Sequence, residues 1–190
     1  IGFESQKVVS SGTENTSVGY KALTALTTGG ANVAIGTKAA DAMAKGESHN
    51  IAIGSNAMET VDEGLNSGGG THSANHNIAI GTSALAGGDF GDVSDGTTRD
   101  FIGNIAIGSN SLNSTAENPS TGQIAIGYDA LTALTSGAEN TAIGYQAGKA
   151  MTTGGNLTAV GYNAAPALPA GANANTAIGG DALLLGDNAS

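Results

Sequence analysis

A five-residue motif recurs along almost the whole chain: Asn, any residue, Ala or Ser, Ile or Val, then Gly. Its copies occupy Asn15–Gly19, Asn32–Gly36, Asn50–Gly54, Asn77–Gly81, Asn104–Gly108, Asn140–Gly144 and Asn175–Gly179, with variant copies at Gln123–Gly127 and Leu157–Gly161. Successive motif glycines lie 17, 18, 27, 27, 19, 17, 17 and 18 residues apart. Such a period is typical of a solenoid, in which each repeat forms one coil and contacts its neighbours. Residues 1–190 are therefore interpreted as a single repeat array.

Both ends of the sequence fall inside a repeat. Ile1-Gly2 fits the end of an earlier copy, and Asn188-Ala189-Ser190 fits the start of a later one. We therefore expect the chain to be a fragment of a longer fibrous protein.

Large and small side chains alternate within each motif, as in Asn50-Ile51-Ala52-Ile53. This period of two predicts a strand with two distinct faces, and the Gly that follows predicts a turn. We expect the Ala or Ser face to lie where an identical chain comes close. We expect the Ile or Val before each Gly to point into the coil and form the core: Ile35, Ile53, Ile80, Ile107, Ile126, Ile143, Val160 and Ile178.

Large apolar side chains are scarce for a chain that must fold alone. Leu, Ile, Val and Phe together account for 35 of the 190 residues, whereas Gly alone accounts for 31. A chain with so little apolar volume and a high net charge seldom buries a sufficient core. We therefore predict an all-β fold, a parallel β-roll or β-solenoid of 17- to 18-residue coils, that gains further burial as a homotrimer.

The charge and cysteine content exclude several classes of function. Six Lys and Arg stand against 16 Asp and Glu, for a net charge of −10. Such a chain cannot neutralise a run of phosphates, so we expect no nucleic-acid partner. Its apolar runs are far shorter than the roughly 20 residues of a membrane-spanning helix, so we expect no membrane insertion. The absence of Cys excludes disulfides and thiolate chemistry.

The motif copies resemble a known class of repeat. Asn140–Gly148, which reads Asn-Thr-Ala-Ile-Gly-Tyr-Gln-Ala-Gly, and Asn32–Gly36 look like the head repeats of trimeric autotransporter adhesins (YadA-like) and the similar repeats of bacteriophage tail fibres. The resemblance implies a left-handed coil and a homotrimer. The 17- to 18-residue period exceeds the shorter adhesin repeat, and the Gly-Tyr-x-Ala phrase with Thr-Thr-Gly corners is more similar to the fibre type.

The resemblance also implies a function. It favours a non-catalytic segment of a phage tail fibre that displays or forms a host-attachment surface on the extracellular virion tail. The expected partners are a host-cell surface glycan or protein and other fibre or virion proteins. The alternatives are the head of a trimeric adhesin on a bacterial cell surface and a polysaccharide-degrading tail spike. No catalytic residue and no cofactor are transferred from either family.

Aromatic residues concentrate at one position of the repeat. Five of the seven directly follow a motif Gly, and Tyr128, Tyr145 and Tyr162 do so on consecutive copies. Residues at one position of successive coils stack about 4.8 Å apart. This column predicts either a surface that binds sugar rings or a partner, or a structural ladder that covers the turn.

The two 27-residue spacings mark insertions at about 58–76 and 85–103. Long loops on a rigid scaffold commonly carry recognition, although they can equally be solvated surface. The insertions supply the candidate binding residues His72, His76, Phe90, Arg99 and Phe101.

Metal binding and catalysis are not favoured by these insertions. Asp89, Asp92 and Asp95 follow neither an EF-hand nor a calcium-binding solenoid pattern. His72 and His76 lie in a Gly/Ser/Asn-rich loop and are interpreted as surface residues, so no metal site is predicted. The coils are short, lined by Ala and without a recurring acid, so we expect no enzyme.

Overall fold

The computed structural model describes residues 1–61, 72–87, 99–115 and 120–184, without the side chains of His72 and Arg99. In this part of the chain the regular structure is all β, with no helix. The strands are β1 (Thr16–Val18), β2 (Val33–Ile35), β3 (Ile51–Ile53), β4 (His72–Ser73), β5 (Ile78–Ile80), β6 (Arg99–Ile102), β7 (Ile105–Ile107), β8 (Ser120–Thr121), β9 (Ile124–Ile126), β10 (Gly137–Ala138), β11 (Thr141–Ile143), β12 (Thr158–Val160) and β13 (Thr176–Ile178).

Each complete motif contributes one strand to a single large sheet. Its nine strands run in the order β1-β2-β3-β5-β7-β9-β11-β12-β13, and every neighbouring pair is parallel. Equivalent motif residues are direct partners, so Ala34 pairs with Ala52 and Ala52 with Ala79. The predicted parallel β-solenoid is confirmed.

The predicted assignment of the two strand faces is wrong. The motif Ala is buried in the coil, as at Ala52 and Ala142, which are 1% and 0% exposed. The predicted core residues face outward instead. Ile35, Ile80, Ile143 and Ile178 are exposed, and Ile53, Ile107, Ile126 and Val160 are only partly buried. Because the Ala positions lie inside one chain, they are not the surface that meets another chain.

The physical reason lies in the turn that follows each strand. The largest fully buried aliphatic side chains come mainly from positions four and seven residues after the motif Gly, among them Leu23, Leu26, Met43, Met58 and Leu131. These side chains fill the narrow coil from the turn, which leaves room for only a methyl group from the strand. The column of larger Ile and Val residues is therefore directed outward.

The motif Gly is required by close approach of the backbone. Gly144 has a φ of +138°, and a Cβ placed there would collide with the carbonyl oxygen of Gly161 in the next coil. This confirms the turn predicted after each strand, because only Gly adopts that conformation without a side-chain penalty.

The two insertions form more than surface loops. β4 and β6 lie in them and pair in parallel, and with β8 and β10 they make a second sheet in the order β10-β8-β6-β4. Met58, Leu85 and Phe101, all within the predicted insertions, are fully buried. Parts of the insertions are thus built into the scaffold.

Candidate functional site

The outward face of the large sheet carries two parallel columns of apolar side chains. One is the Ile or Val before each motif Gly, and the other lies two residues earlier. In β3, β5, β7 and β9 both positions are Ile, so Ile51 pairs with Ile78 and Ile53 with Ile80. Exposed or partly buried over all four strands, these residues make a continuous apolar surface, here called the isoleucine face. Contiguous apolar surfaces are common at sites where proteins interact with a partner.

Three tyrosines form a stacked column on another side of the solenoid. The ring centroids of Tyr128 and Tyr145 are 5.4 Å apart with an interplanar angle of 11°, and those of Tyr145 and Tyr162 are 5.3 Å apart at 6°. Their side chains remain 43–60% exposed. The predicted ladder is confirmed, whereas its binding role stays a prediction.

The stacking determines what this tyrosine column can offer a ligand. Both ring faces of Tyr145 are covered by its two neighbours. A sugar that packs against a ring face therefore cannot use Tyr145 unless the stack opens. In the stacked state Tyr145 presents its ring edge and hydroxyl group to solvent.

The remaining candidate binding residues are not brought together in one site. Phe101 is fully buried, so it cannot contact a partner directly, and its predicted binding role is wrong. Phe90 lies outside the described residues, as do Asp89, Asp92 and Asp95. His72 and Arg99 begin β4 and β6 and are directly paired in the second sheet, but their side chains are outside the description.

His76 is exposed, as predicted, and stacks on a residue that sequence reasoning overlooked. Its ring centroid lies 4.8 Å from that of His49, with an interplanar angle of 19°. The signal was in the sequence, because both histidines directly precede a motif Asn, in His49-Asn50 and His76-Asn77. They therefore occupy the same position on adjacent coils.

A buried column of amides links the coils, and the sequence analysis gave its residues no role. Asn32, Asn50, Asn77, Asn104, Gln123 and Asn140 are at most 1% exposed. The side-chain Nδ2 of each Asn in this column donates a hydrogen bond across the coil to a backbone carbonyl. Asn50 donates to Ala74 at 2.8 Å, and Asn77 donates to Phe101 at 2.7 Å. The available signal was the amide side chain found at this register in eight of the nine motif copies, because a buried amide persists only where it is hydrogen-bonded.

Gln123 shows that the amide column accepts a longer side chain in place of Asn. Its Nε2 donates to the carbonyl oxygen of Gly137 at 2.7 Å, and its Oε1 accepts the backbone N–H of Asn140 at 3.1 Å. Its backbone N–H donates to Oδ1 of Asn104 at 3.0 Å. A longer amide thus preserves the bonds to the backbone on both sides.

Ion pairs on the surface join neighbouring coils. Lys38 Nζ donates to Glu59 Oε1 at 2.8 Å, and this hydrogen bond is the main cause that raises the pKa of Lys38. Within one coil, the hydrogen bond from Lys7 lowers the pKa of Glu4. Lys149 lies 3.3 Å from Asp129 of the preceding coil. Two of these three pairs, Lys38–Glu59 and Lys149–Asp129, therefore connect side chains of adjacent coils.

In the described part of the chain, no helix is long and apolar enough to cross a membrane. Among the same residues, no group of three or more His, Cys, Asp or Glu side chains is arranged to hold a metal ion. Comparison of the chain with protein-family models, with curated proteins and with solved structures gave no match.

Proposed function

We propose that the chain is a non-catalytic segment of a homotrimeric fibre, similar to a phage tail fibre, that forms or displays a host-attachment surface. The observation that carries the proposal is the isoleucine face. An isolated chain would leave this surface in water along at least four consecutive strands, from Ile51 to Ile126. Covering it with identical chains removes the free-energy cost of exposing apolar surface to water, and it gives the thin-cored solenoid the additional burial it needs.

The proposed trimer places the isoleucine face, and not the alanine face, around the central axis. Identical side chains recur at each coil, so three copies in the same register present matching surfaces to one another at every level. The number three and a left-handed coil come from the resemblance of the motif to adhesin and fibre repeats. A long, straight assembly of this kind suits the display of a binding surface away from a parent particle.

Host attachment in this proposal involves the insertions, with a cell-surface glycan or protein as the partner and an extracellular virion tail as the location. The insertions interrupt the repeat and carry the single Arg of the chain, Arg99, and two of its three His residues, His72 and His76. The head of a bacterial adhesin is the second candidate, because the same trimeric surface would serve it at a cell surface.

Assembly is tested by light scattering on the purified, tag-free chain and two charge variants. Ile80→Asp places a carboxylate in the isoleucine face, whereas Thr82→Asp places one at an exposed position two residues away. We expect trimers for the parent chain and Thr82→Asp, and monomers or aggregates for Ile80→Asp. A folded monomeric parent, or an Ile80→Asp variant that stays trimeric, contradicts the proposed interface.

Attachment is tested by binding of the fluorescent chain to intact cells of candidate bacterial hosts. Periodate treatment of the cells removes glycan receptors, and protease treatment removes protein receptors. A variant with short Gly-Ser linkers in place of residues 63–70 and 89–97 is expected to stay trimeric and lose binding. Retained binding excludes these segments as the attachment site. Depolymerisation of a host polysaccharide by the purified chain would favour the tail-spike alternative.

A further inference from the structure

The histidines His49 and His76 form a stacked pair at the surface of the solenoid. Both rings are exposed and nearly parallel, with centroids 4.8 Å apart. Both backbones are fixed by hydrogen bonds to a neighbouring coil, from His49 N to Gly30 O at 3.0 Å and from His76 N to Ser48 O at 3.2 Å. Two imidazoles are thus held side by side at the surface.

The residues equivalent to His49 and His76 in the two flanking coils are small. The equivalent position is Ala31 in the coil before His49 and Gly103 in the coil after His76. A Cβ added at Gly103 would meet no atom within 4 Å. Among the described residues, no bulky side chain therefore occupies the equivalent position on either side of the pair, and both histidines are exposed.

The backbone at this position does not require histidine. His49 and His76 both have a φ of 60°, as do Glu14 and Glu139 at equivalent positions, while Gly103 and Gly122 are also found there. Although His adopts this left-handed conformation more readily than most side chains, Ala31, Glu139 and Asn156 adopt it at equivalent positions as well. Two consecutive histidines at such a position are thus not explained by the fold alone.

We propose that His49 and His76 form a bidentate surface site for a divalent transition-metal ion, with water completing the coordination. Imidazole nitrogens bind Zn²⁺ at about 2.0–2.1 Å, which places two adjacent ligand nitrogens about 3–3.4 Å apart. Because a ring nitrogen binds a metal ion in the plane of its ring, the two nearly parallel rings would have to turn toward each other about their Cβ–Cγ bonds, and both side chains are exposed. The ion would link two adjacent coils, and each chain would hold one.

The test is a titration of the tag-free full chain with Cu²⁺, followed by electron paramagnetic resonance. Cu²⁺ is the probe because it binds nitrogen ligands most tightly of the divalent first-row ions and reports them spectroscopically. We expect one Cu²⁺ per chain with two imidazole nitrogens. Losing one imidazole should weaken binding by on the order of a hundredfold, since the second contact is then no longer intramolecular.

The variants His49→Ala and His76→Ala each test one ligand, and Ala is tolerated at this position because Ala31 and Ala174 occupy it elsewhere. Unchanged thermal melting without metal would show that any loss of binding is not a loss of folding. The control variant His72→Ala should retain the site. The proposal is overturned by a single-nitrogen signal in the parent chain, by unchanged binding in His49→Ala or His76→Ala, or by loss of the site in His72→Ala.

Discussion

The side-chain amide of Asn77 donates a hydrogen bond to Oδ1 of Asn50 at 3.1 Å, and the backbone N–H of Asn77 donates to the same oxygen at 3.0 Å. One buried oxygen thus serves two donors from the next coil. Oδ1 of Asn77 accepts the equivalent pair from Asn104 at 3.0 Å each. The coils are therefore joined through their interior as well as through the sheet.

The first prediction is that Asn77→Ala strongly destabilises the fold. The substitution leaves the backbone and side-chain N–H groups of Asn104 without their shared acceptor, and it removes the hydrogen bond that Asn77 donates to the carbonyl of Phe101. Each buried group left unsatisfied costs about 1–3 kcal/mol. Chemical denaturation monitored by circular dichroism should show a loss of at least about 2 kcal/mol in the free energy of unfolding, from the two N–H groups of Asn104 alone.

Asn163→Ala is the matched control for this prediction. Asn163 donates to Asp181 at 2.8 Å, but that bond is exposed. We expect a change within about 0.5 kcal/mol, as for most surface substitutions. Equal effects of the two variants would mean that the amide column does not stabilise the interior.

Gly144→Ala should disrupt the solenoid locally. The added Cβ meets the backbone carbonyl of Gly161, which cannot rotate away as a flexible side chain can, and the φ of +138° is unfavourable for Ala. By contrast, Gly171→Ala tests the φ penalty alone, because a Cβ at Gly171 meets no atom within 4 Å and its φ is +76°. Hydrogen exchange should show lost protection around β11 and β12 only in Gly144→Ala; similar protection in both variants would contradict the steric argument.

Ala142→Leu tests which strand face is inside. Ala142 is fully buried within its own coil, so the extra volume should cost about 1–3 kcal/mol through overpacking. The same substitution at Ala150, an exposed alanine in the same coil, should be close to neutral. Thermal unfolding of the two variants gives the comparison, and a neutral Ala142→Leu would restore the alanine face as an outer surface.

Tyr145→Ala should destabilise the chain more than Tyr162→Ala. Tyr145 stacks on two neighbours, whereas Tyr162 stacks on Tyr145 alone among the described aromatics. Each aromatic contact contributes about 0.5–1.5 kcal/mol, so we expect about twice the loss for Tyr145→Ala. The near-ultraviolet circular dichroism of the tyrosines should fall in parallel. Equal losses would indicate that the rings do not stabilise one another.

The fold was predictable because its signal is repeated. One motif would not define a strand, but nine aligned copies fix the strand position, the Gly turn and the parallel pairing. The orientation of the faces was not predictable from the strand alone. Ile143 is the larger residue and Ala142 the smaller, and hydrophobicity favours Ile143 inside; the interior is instead filled by residues such as Leu131 and Met151 from the turn. Both orientations of the strand have the same period of two, and crowding inside the coil selects the orientation with Ala142 inside.

The candidate site was only partly predictable. Stacking of Tyr145 on Tyr162 follows from the repeat spacing, since a solenoid places equivalent positions above one another. Burial of Phe101 does not, because the equivalent residues of the next two coils are the small Ser120 and Gly137, so the repeat shows no large apolar residue at this position. His49 was missed because it lies outside the insertions, although it shares the register of His76.

The pairing of equivalent residues in the large sheet makes the solenoid a molecular ruler. Ile53 and Ile80 are direct partners although 27 residues separate them, and Ile126 and Ile143 are direct partners at a separation of 17 residues. Each coil therefore advances the rod by the same strand spacing of about 4.8 Å. The height of the sheet is set by the number of motifs, about 38 Å for the eight steps between nine strands. Residues inserted between two motifs therefore change the lateral surface of the rod, whereas the length of the rod stays constant.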